Sequence, residues 1–164
     1  MAVYLRVSLT RLAVRQASLV HLAERVLKAA GEPKSELSLE LVGDVRIRRL
    51  NREYRKQDRI TDVLAFSTRE AVLPGGVCPA TGMLGDVVIS LPTAVRQARE
   101  GGRSVDDELA MLLVHGVLHL CGYDHERSAR EAARMSRRER AVLGMIAPVP
   151  CLVTGRAGRP TKDR

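Results

Sequence analysis

Apolar residues along the chain switch between two periods, and the switches mark its elements. Val3, Leu5 and Val7 alternate with other positions, which predicts a strand. Leu12, Leu19, Leu22 and Val26 then recur at helical spacing, predicting a helix from about Leu12 to Ala30 that Gly31 stops. Leu37, Leu39 and Leu41 alternate again as a second strand up to Gly43. Asp44 follows as the expected cap of a short helix with Ile47, Leu50 and Tyr54 on one face. The runs TDVLAF at 61–66 and LGDVVIS at 84–90 read as two more strands, joined by a Pro- and Gly-bearing, hairpin-type excursion, LPGGVCPATG.

Helical signals dominate the rest. Ser90 with Pro92 opens a helix that stops at Gly101 and Gly102. Ser104 with Asp107 caps the next, and a last helix runs from about Ser128 to Met145, ahead of Pro148. The expected fold is α+β, a single domain over residues 1–147 with a mixed sheet of about four strands flanked by about five helices. Residues 148–164, PVPCLVTGRAGRPTKDR, lack periodicity and are expected to form a disordered basic tail.

Composition narrows the class. The chain has 164 residues, 45% of them hydrophobic, which is enough for one core. No charge-free apolar run is long enough to span a membrane, and the N-terminal apolar residues are interspersed with arginines, unlike a leader peptide. Cys78, Cys121 and Cys151 are odd in number and contain no CxxC pair, which fits neither a disulfide framework nor a thiolate metal site and suits a reducing cytoplasm. A net charge of +8 favours a polyanionic partner, above all nucleic acid. Aromatics make up only 2% of the chain, so recognition would rest on phosphate contacts and shape and not on base stacking.

The chemistry concentrates in VHGVLHLCGYDH, residues 114–125, which holds three of the four histidines. His115 and His119, four apart, project from one helix face. Gly122 can adopt the positive φ that ends a helix and turns the chain, bringing His125 to the same point. Three imidazoles without a thiolate predict a metal site at the end of a central helix, with zinc as the expected ion, though nickel or copper would also accept such a set. A position left open for water suits hydrolysis, since zinc lowers the pKa of bound water to about 7. Asp124, Glu108 and Asp107 are candidates to orient imidazoles or water, against the alternative that each is an ordinary turn or helix carboxylate. His21 lies on an amphipathic helix and reads as a surface residue. The H-x3-H-x5-H spacing resembles the metzincin proteases, but Gly116 stands where those enzymes carry their catalytic Glu, which argues against proteolysis.

HGVLHLCGYDH resembles the signature of the YbeY-type endoribonucleases, bacterial rRNA maturation factors. LNREYRKQDRITDVLAF at 50–66 and LGDVVIS at 84–90 resemble two further blocks of that family, in the same order. The resemblance implies that His115, His119 and His125 hold one metal ion and that Arg55, in the YR-x-x-D stretch, faces it as a fourth catalytic residue. A planar guanidinium there could grip a phosphate and stabilise its developing charge. The proton acceptor is left open between the metal hydroxide, Asp124 and Glu108. Ile60, Ala65 and Ser136 depart from the family pattern without touching a proposed ligand, and Thr61 and Asp62 either shape the cleft or serve the strand.

The implied function is a cytoplasmic, zinc-dependent, single-strand-specific endoribonuclease in rRNA processing, small-subunit rRNA 3′-end maturation and ribosome quality control. Its implied partners are single-stranded RNA or an rRNA precursor, the small ribosomal subunit and its assembly factors, with no membrane and no DNA. The competing expectation is an RNA- or ribosome-binding assembly factor whose metal is structural.

Overall fold

The computed structural model describes residues 2–9, 12–68 and 82–154. In chain order the elements are β1 (Ala2–Val7), β2 (Ala13–Val14), α1 (Gln16–Ala29), β3 (Glu36–Val42), α2 (Asp44–Arg55), β4 (Val63–Ser67), β5 (Met83–Ser90), α3 (Leu91–Glu100), α4 (Val105–Leu120), α5 (Ala129–Ile146) and β6 (Val153–Thr154). Four strands form one mixed sheet in the order β1-β3-β5-β4: β1, β3 and β5 run parallel, and β4 is antiparallel to β5. The expected α+β domain of four main strands and five helices is therefore present. The antiparallel pairing of β4 with β5 is the hairpin the sequence predicts, although the tip of its connection, with Cys78, lies outside the described residues.

Alternation decides which helix meets which face. Leu37, Leu39 and Leu41 of β3 and Val87 and Ile89 of β5 point into the main core, where α1, α3, α4 and α5 contribute Leu22, Leu91, Leu113 and Val142. The intervening Val42 and Val88 point the other way and, with Leu64, meet Ile47 of α2 in a second, smaller core. Tyr54 is largely exposed, yet its ring meets Phe66 edge-on at 5.3 Å, so it extends the apolar face of α2. The two faces thus place α2 on one side of the sheet and α4 on the other.

Three expectations need correction. The helix predicted from Leu12 begins at Gln16, because Ala13 and Val14 pair with Thr154 and Val153 as a second, two-stranded sheet. Asp44 is the first helical residue of α2, after an N-cap at Gly43. Its carboxylate accepts hydrogen bonds from Ser90 Oγ at 2.6 Å, Thr93 Oγ1 at 2.7 Å and Arg96 Nη2 at 2.9 Å. One acid thereby ties the first turns of α2 and α3, where helix dipoles favour a negative charge. Finally, the segment expected to be a disordered tail is packed as far as Thr154. Leu152 and Val153 are buried, and the amides of both donate to Asp106 Oδ1 at 2.8 and 3.0 Å. Residues 155–164 lie outside the described residues.

Candidate metal centre

α4 is apolar on nearly every side, as a helix clamped between a sheet and other helices must be, and most of its residues are buried. His115 and His119 are half-buried interruptions near its C-terminal end. Between them Gly116 faces the sheet: a Cβ there would stand 2.8 Å from Val87 Cγ1 and 3.4 Å from Val63 Cγ2. The helix therefore lies on β4 and β5 at backbone distance. A side chain at 116 would collide with Val87 of the sheet, although the backbone of Gly116 also lines the cleft that holds the histidines.

The chain turns where Gly122 predicts. Gly122 has φ +98°, its amide donates to the His119 carbonyl at 3.0 Å, and the Tyr123 amide donates to the Leu118 carbonyl at 3.1 Å. These two bonds are a Schellman ending. The reversal carries His125 back over the helix end, so the three ring centroids lie 4.6, 5.2 and 5.1 Å apart and one nitrogen from each ring falls within 4.8 Å of the others. His115 Nε2 and His119 Nε2 are 3.1 Å apart. Two imidazoles sharing a tetrahedral ion at 2.0–2.1 Å would hold their nitrogens about 3.3 Å apart, so this pair already has the spacing of a metal-ligating pair. His125 is the most exposed of the three, and its ligand nitrogen lies within 4.8 Å of the other two. A donor set of three imidazoles fits a borderline divalent ion with an open position.

Electrostatics favours the form that can ligate. Burial first, then the neighbouring His115 and His125 and the Arg55 charge, push the His119 pKa below its ordinary value, against an opposing pull from Asp124. The ring is thus kept neutral, with a lone pair for an ion.

The cluster sits in a cleft of about 500 Å³ with Arg55, Arg59 and Arg127 on its rim. Arg55 comes from the last turn of α2 and donates from Nη2 to the Ala65 carbonyl at 3.2 Å. Lys56 then caps the helix at φ +59°, and buried Asn51 donates from Nδ2 to the Arg59 carbonyl at 2.9 Å, turning the chain so that Gln57 and Arg59 also line the cleft. Thr61 and Asp62 line it as well. Asp62 is engaged structurally, accepting from the Val63 amide at 2.7 Å and from Gln97 Nε2 at 3.2 Å.

The candidate carboxylates separate. Asp124 stays at the cleft, where Oδ1 accepts the Glu126 amide at 2.9 Å. Glu108 lies seven residues before His115, about 10 Å along the helix. It is buried and held by Arg103 Nε and Nη2 at 2.9 and 2.6 Å, while Asp107 is exposed in the first turn of α4, so neither reaches the histidines. The carboxylate that does is one the sequence reading missed: Glu139 of α5, whose Oε1 is 2.7 Å from His115 Nδ1. A signal for it was present, since Glu139 occupies an inward position between Met135, Val142 and Ile146, where an apolar residue is expected.

Comparison with known proteins agrees with this architecture. The family model Endoribonuclease YbeY matches residues 6–147. A Geobacter metallireducens protein named Endoribonuclease YbeY is 51% identical over 125 residues, 76% of this chain and 81% of the relative. An Aquifex aeolicus protein of the same name is 44% identical over 140 residues, 85% of this chain and 89% of its own length. A third, from Myxococcus xanthus, is 56% identical over 109 residues but longer, so the match spans 36% of it. The solution structure of a Thermotoga maritima protein superposes with a TM-score of 0.54 at 25% identity, covering 87% of this chain and 89% of that one. By its matched span, its identity to these relatives and its shared fold, the chain belongs to the Endoribonuclease YbeY family.

Proposed function

We propose that this protein is a metal-dependent, single-strand-specific endoribonuclease of rRNA maturation, with His115, His119 and His125 holding zinc and Arg55 gripping the scissile phosphate. The observation that carries the reading is the convergence of three imidazole donors in a cleft that Arg55 also lines. The relatives' shared name supplies the reaction class.

When bound, the ion supplies Lewis acidity to a phosphoryl oxygen and lowers the pKa of a water. The side chains do the rest. Neutral imidazoles would ligate an ion without cancelling its charge, which would then draw a phosphodiester into a lining where Arg55, Arg59 and Arg127 are matched by Asp62, Asp124 and Glu126. Arg55 offers parallel N–H donors to the non-bridging oxygens and stabilises charge that grows in the transition state. Arg59 and Arg127 on the rim hold neighbouring phosphates, a contact that salt weakens. Asp124 is the carboxylate placed to accept a proton from the attacking hydroxyl or water. A strand must lower its backbone into the cleft, which unpaired nucleotides do more readily than a helix.

The same reading places the protein in the cytoplasm with rRNA precursors, the small ribosomal subunit and its assembly factors as partners, and with neither DNA nor membrane as target. Among the described residues, no helix is long and apolar enough to cross a membrane. The decisive experiment is cleavage of a single-stranded rRNA-precursor fragment with and without chelator, beside a His115→Ala preparation made identically. Cleavage lost in both cases and restored to the parent by zinc supports the reading. Equal cleavage by both preparations would leave an RNA-binding factor with a structural metal.

A further inference from the structure

α5 is built to bury a stripe. Met135, Val142 and Ile146 are sealed against the core, and with residue 139 they follow the i, i+4, i+7, i+11 spacing of one helix face. A carboxylate at the second of these positions loses hydration without joining the apolar contact, so the site would be filled better by Leu or Met unless the charge has a partner. It has one. Glu139 and His115 are each about 30% exposed, and Oε1 lies 2.7 Å from Nδ1, within the range of a charge-assisted hydrogen bond.

The direction of that bond matters. His115 turns Nδ1 toward Glu139 and Nε2 toward His119 and the cluster. A carboxylate accepts and cannot donate, so the proton of neutral His115 is held on Nδ1, which leaves the Nε2 lone pair aimed at the ion position. Among the described residues neither of the other two ligand histidines has such a support: His119 bonds no carboxylate, and the ion pair recorded for His125 is with exposed Glu126 at 4.0 Å. His115 is therefore fixed from behind by a different helix.

We propose that Glu139 is a positioning residue of the metal centre: it sets the tautomer and ring orientation of His115 and thereby the affinity for the ion. The inference rests on reading the three histidines as a metal site. It would give α5, which carries none of the three histidines, a part in the centre through Glu139. Removal of such an outer carboxylate typically costs 10- to 100-fold in metal affinity.

The test uses the full chain stripped of metal and titrated with zinc against a chromophoric chelator, with cobalt as a spectroscopic stand-in. Glu139→Met fills the apolar stripe, so its metal-free melting temperature should equal or exceed the parent's while zinc affinity falls about 10- to 100-fold and the cobalt spectrum changes. Glu139→Gln keeps an acceptor oxygen for Nδ1 and should lose distinctly less affinity than the Met variant. A Met variant that binds zinc as tightly as the parent overturns the proposal and leaves the metal site standing. Were the Met variant to melt lower when metal-free, the Gln variant would decide: affinity near the parent's supports positioning, and affinity as poor as the Met variant's overturns it. Failure of the parent itself to take up one ion would remove the metal site and this proposal together, a result told apart because parent and variants would read alike.

Discussion

Two single residues define how close the cleft's walls can come and what they can hold. Arg55 reaches the cleft from α2 and is steadied by one bond to the Ala65 carbonyl. If its role is a two-pronged grip on phosphate, lysine cannot replace it, because an ammonium is a point charge without the planar fork. Arg55→Ala should lower kcat about 100- to 1,000-fold with zinc content unchanged, and Arg55→Lys should recover only a small part. Single-turnover cleavage beside metal analysis checks this, and full recovery by lysine would reduce the residue to a general positive charge. Gly116 acts on the opposite wall. A methyl group there meets Val87 at 2.8 Å, so Gly116→Ala must push α4 off the sheet. The expected cost is about 1–3 kcal/mol, read as a lower urea midpoint with an unchanged slope. The same shift would displace the neighbouring His115.

At the scale of elements, the joint between α2 and α3 carries a pH signature. Burial of Asp44 acts to raise its pKa, but bonds from Ser90, Thr93 and Arg96, with the Arg96 charge, outweigh burial and hold it below the usual carboxylate value. A depressed folded-state pKa means stability that is fully present above the unfolded value and lost as pH falls through the folded one. Asp44→Asn should therefore be less stable than the parent by about 1–2 kcal/mol near neutrality, with the gap constant down to about pH 5 and closing below about pH 4. Urea titrations across that range measure it, and a gap independent of acid would refute the assignment. This joint was not legible in the sequence: Asp44 reads as a helix cap, and nothing local announces Ser90 and Thr93 as its partners. Strands β3, β4 and β5 were legible because each carries several apolar residues in register with one face. The turn at Gly122 was legible because its requirement, a positive φ after an apolar helix, is local. Glu139 was hidden by the rule that a helix acid faces solvent, and the two-residue strands β2 and β6 are too short to show a period.

The whole molecule closes through those two short strands. The apolar pattern alone would end the domain near Ala147, and the family match ends at the same residue, yet the structure continues its packing. Leu152 is buried beside the start of α1, the Arg15 amide donates to the Leu152 carbonyl at 2.8 Å, and Asp106 collects the amides of Leu152 and Val153 at the start of α4. The chain beyond α5 therefore fastens the N-terminal ends of α1 and α4. α4 carries two of the three histidines at its other end, so the fastening acts on the helix that presents most of the candidate metal site. Ending the chain after Ala147 should expose the apolar surface that Leu152 and Val153 cover and leave Asp106 without its two amide donors. The expected loss is about 2–4 kcal/mol, or roughly 5–10 °C in melting temperature for a domain of this size. Leu152→Ala in the full chain should lose about 2–5 kcal/mol by opening a cavity at a fully buried site. Asp106→Ala should fall below both in effect, because it removes the two acceptor bonds and leaves the apolar contact in place. Calorimetry on the three variants orders them. A shortened chain as stable as the parent would mean that the segment rests on the surface without contributing. A shortened chain that melts lower but still binds one zinc ion with parental affinity would show that the fastening serves the fold and that the metal centre is held by α4, the 122–125 turn and α5 alone.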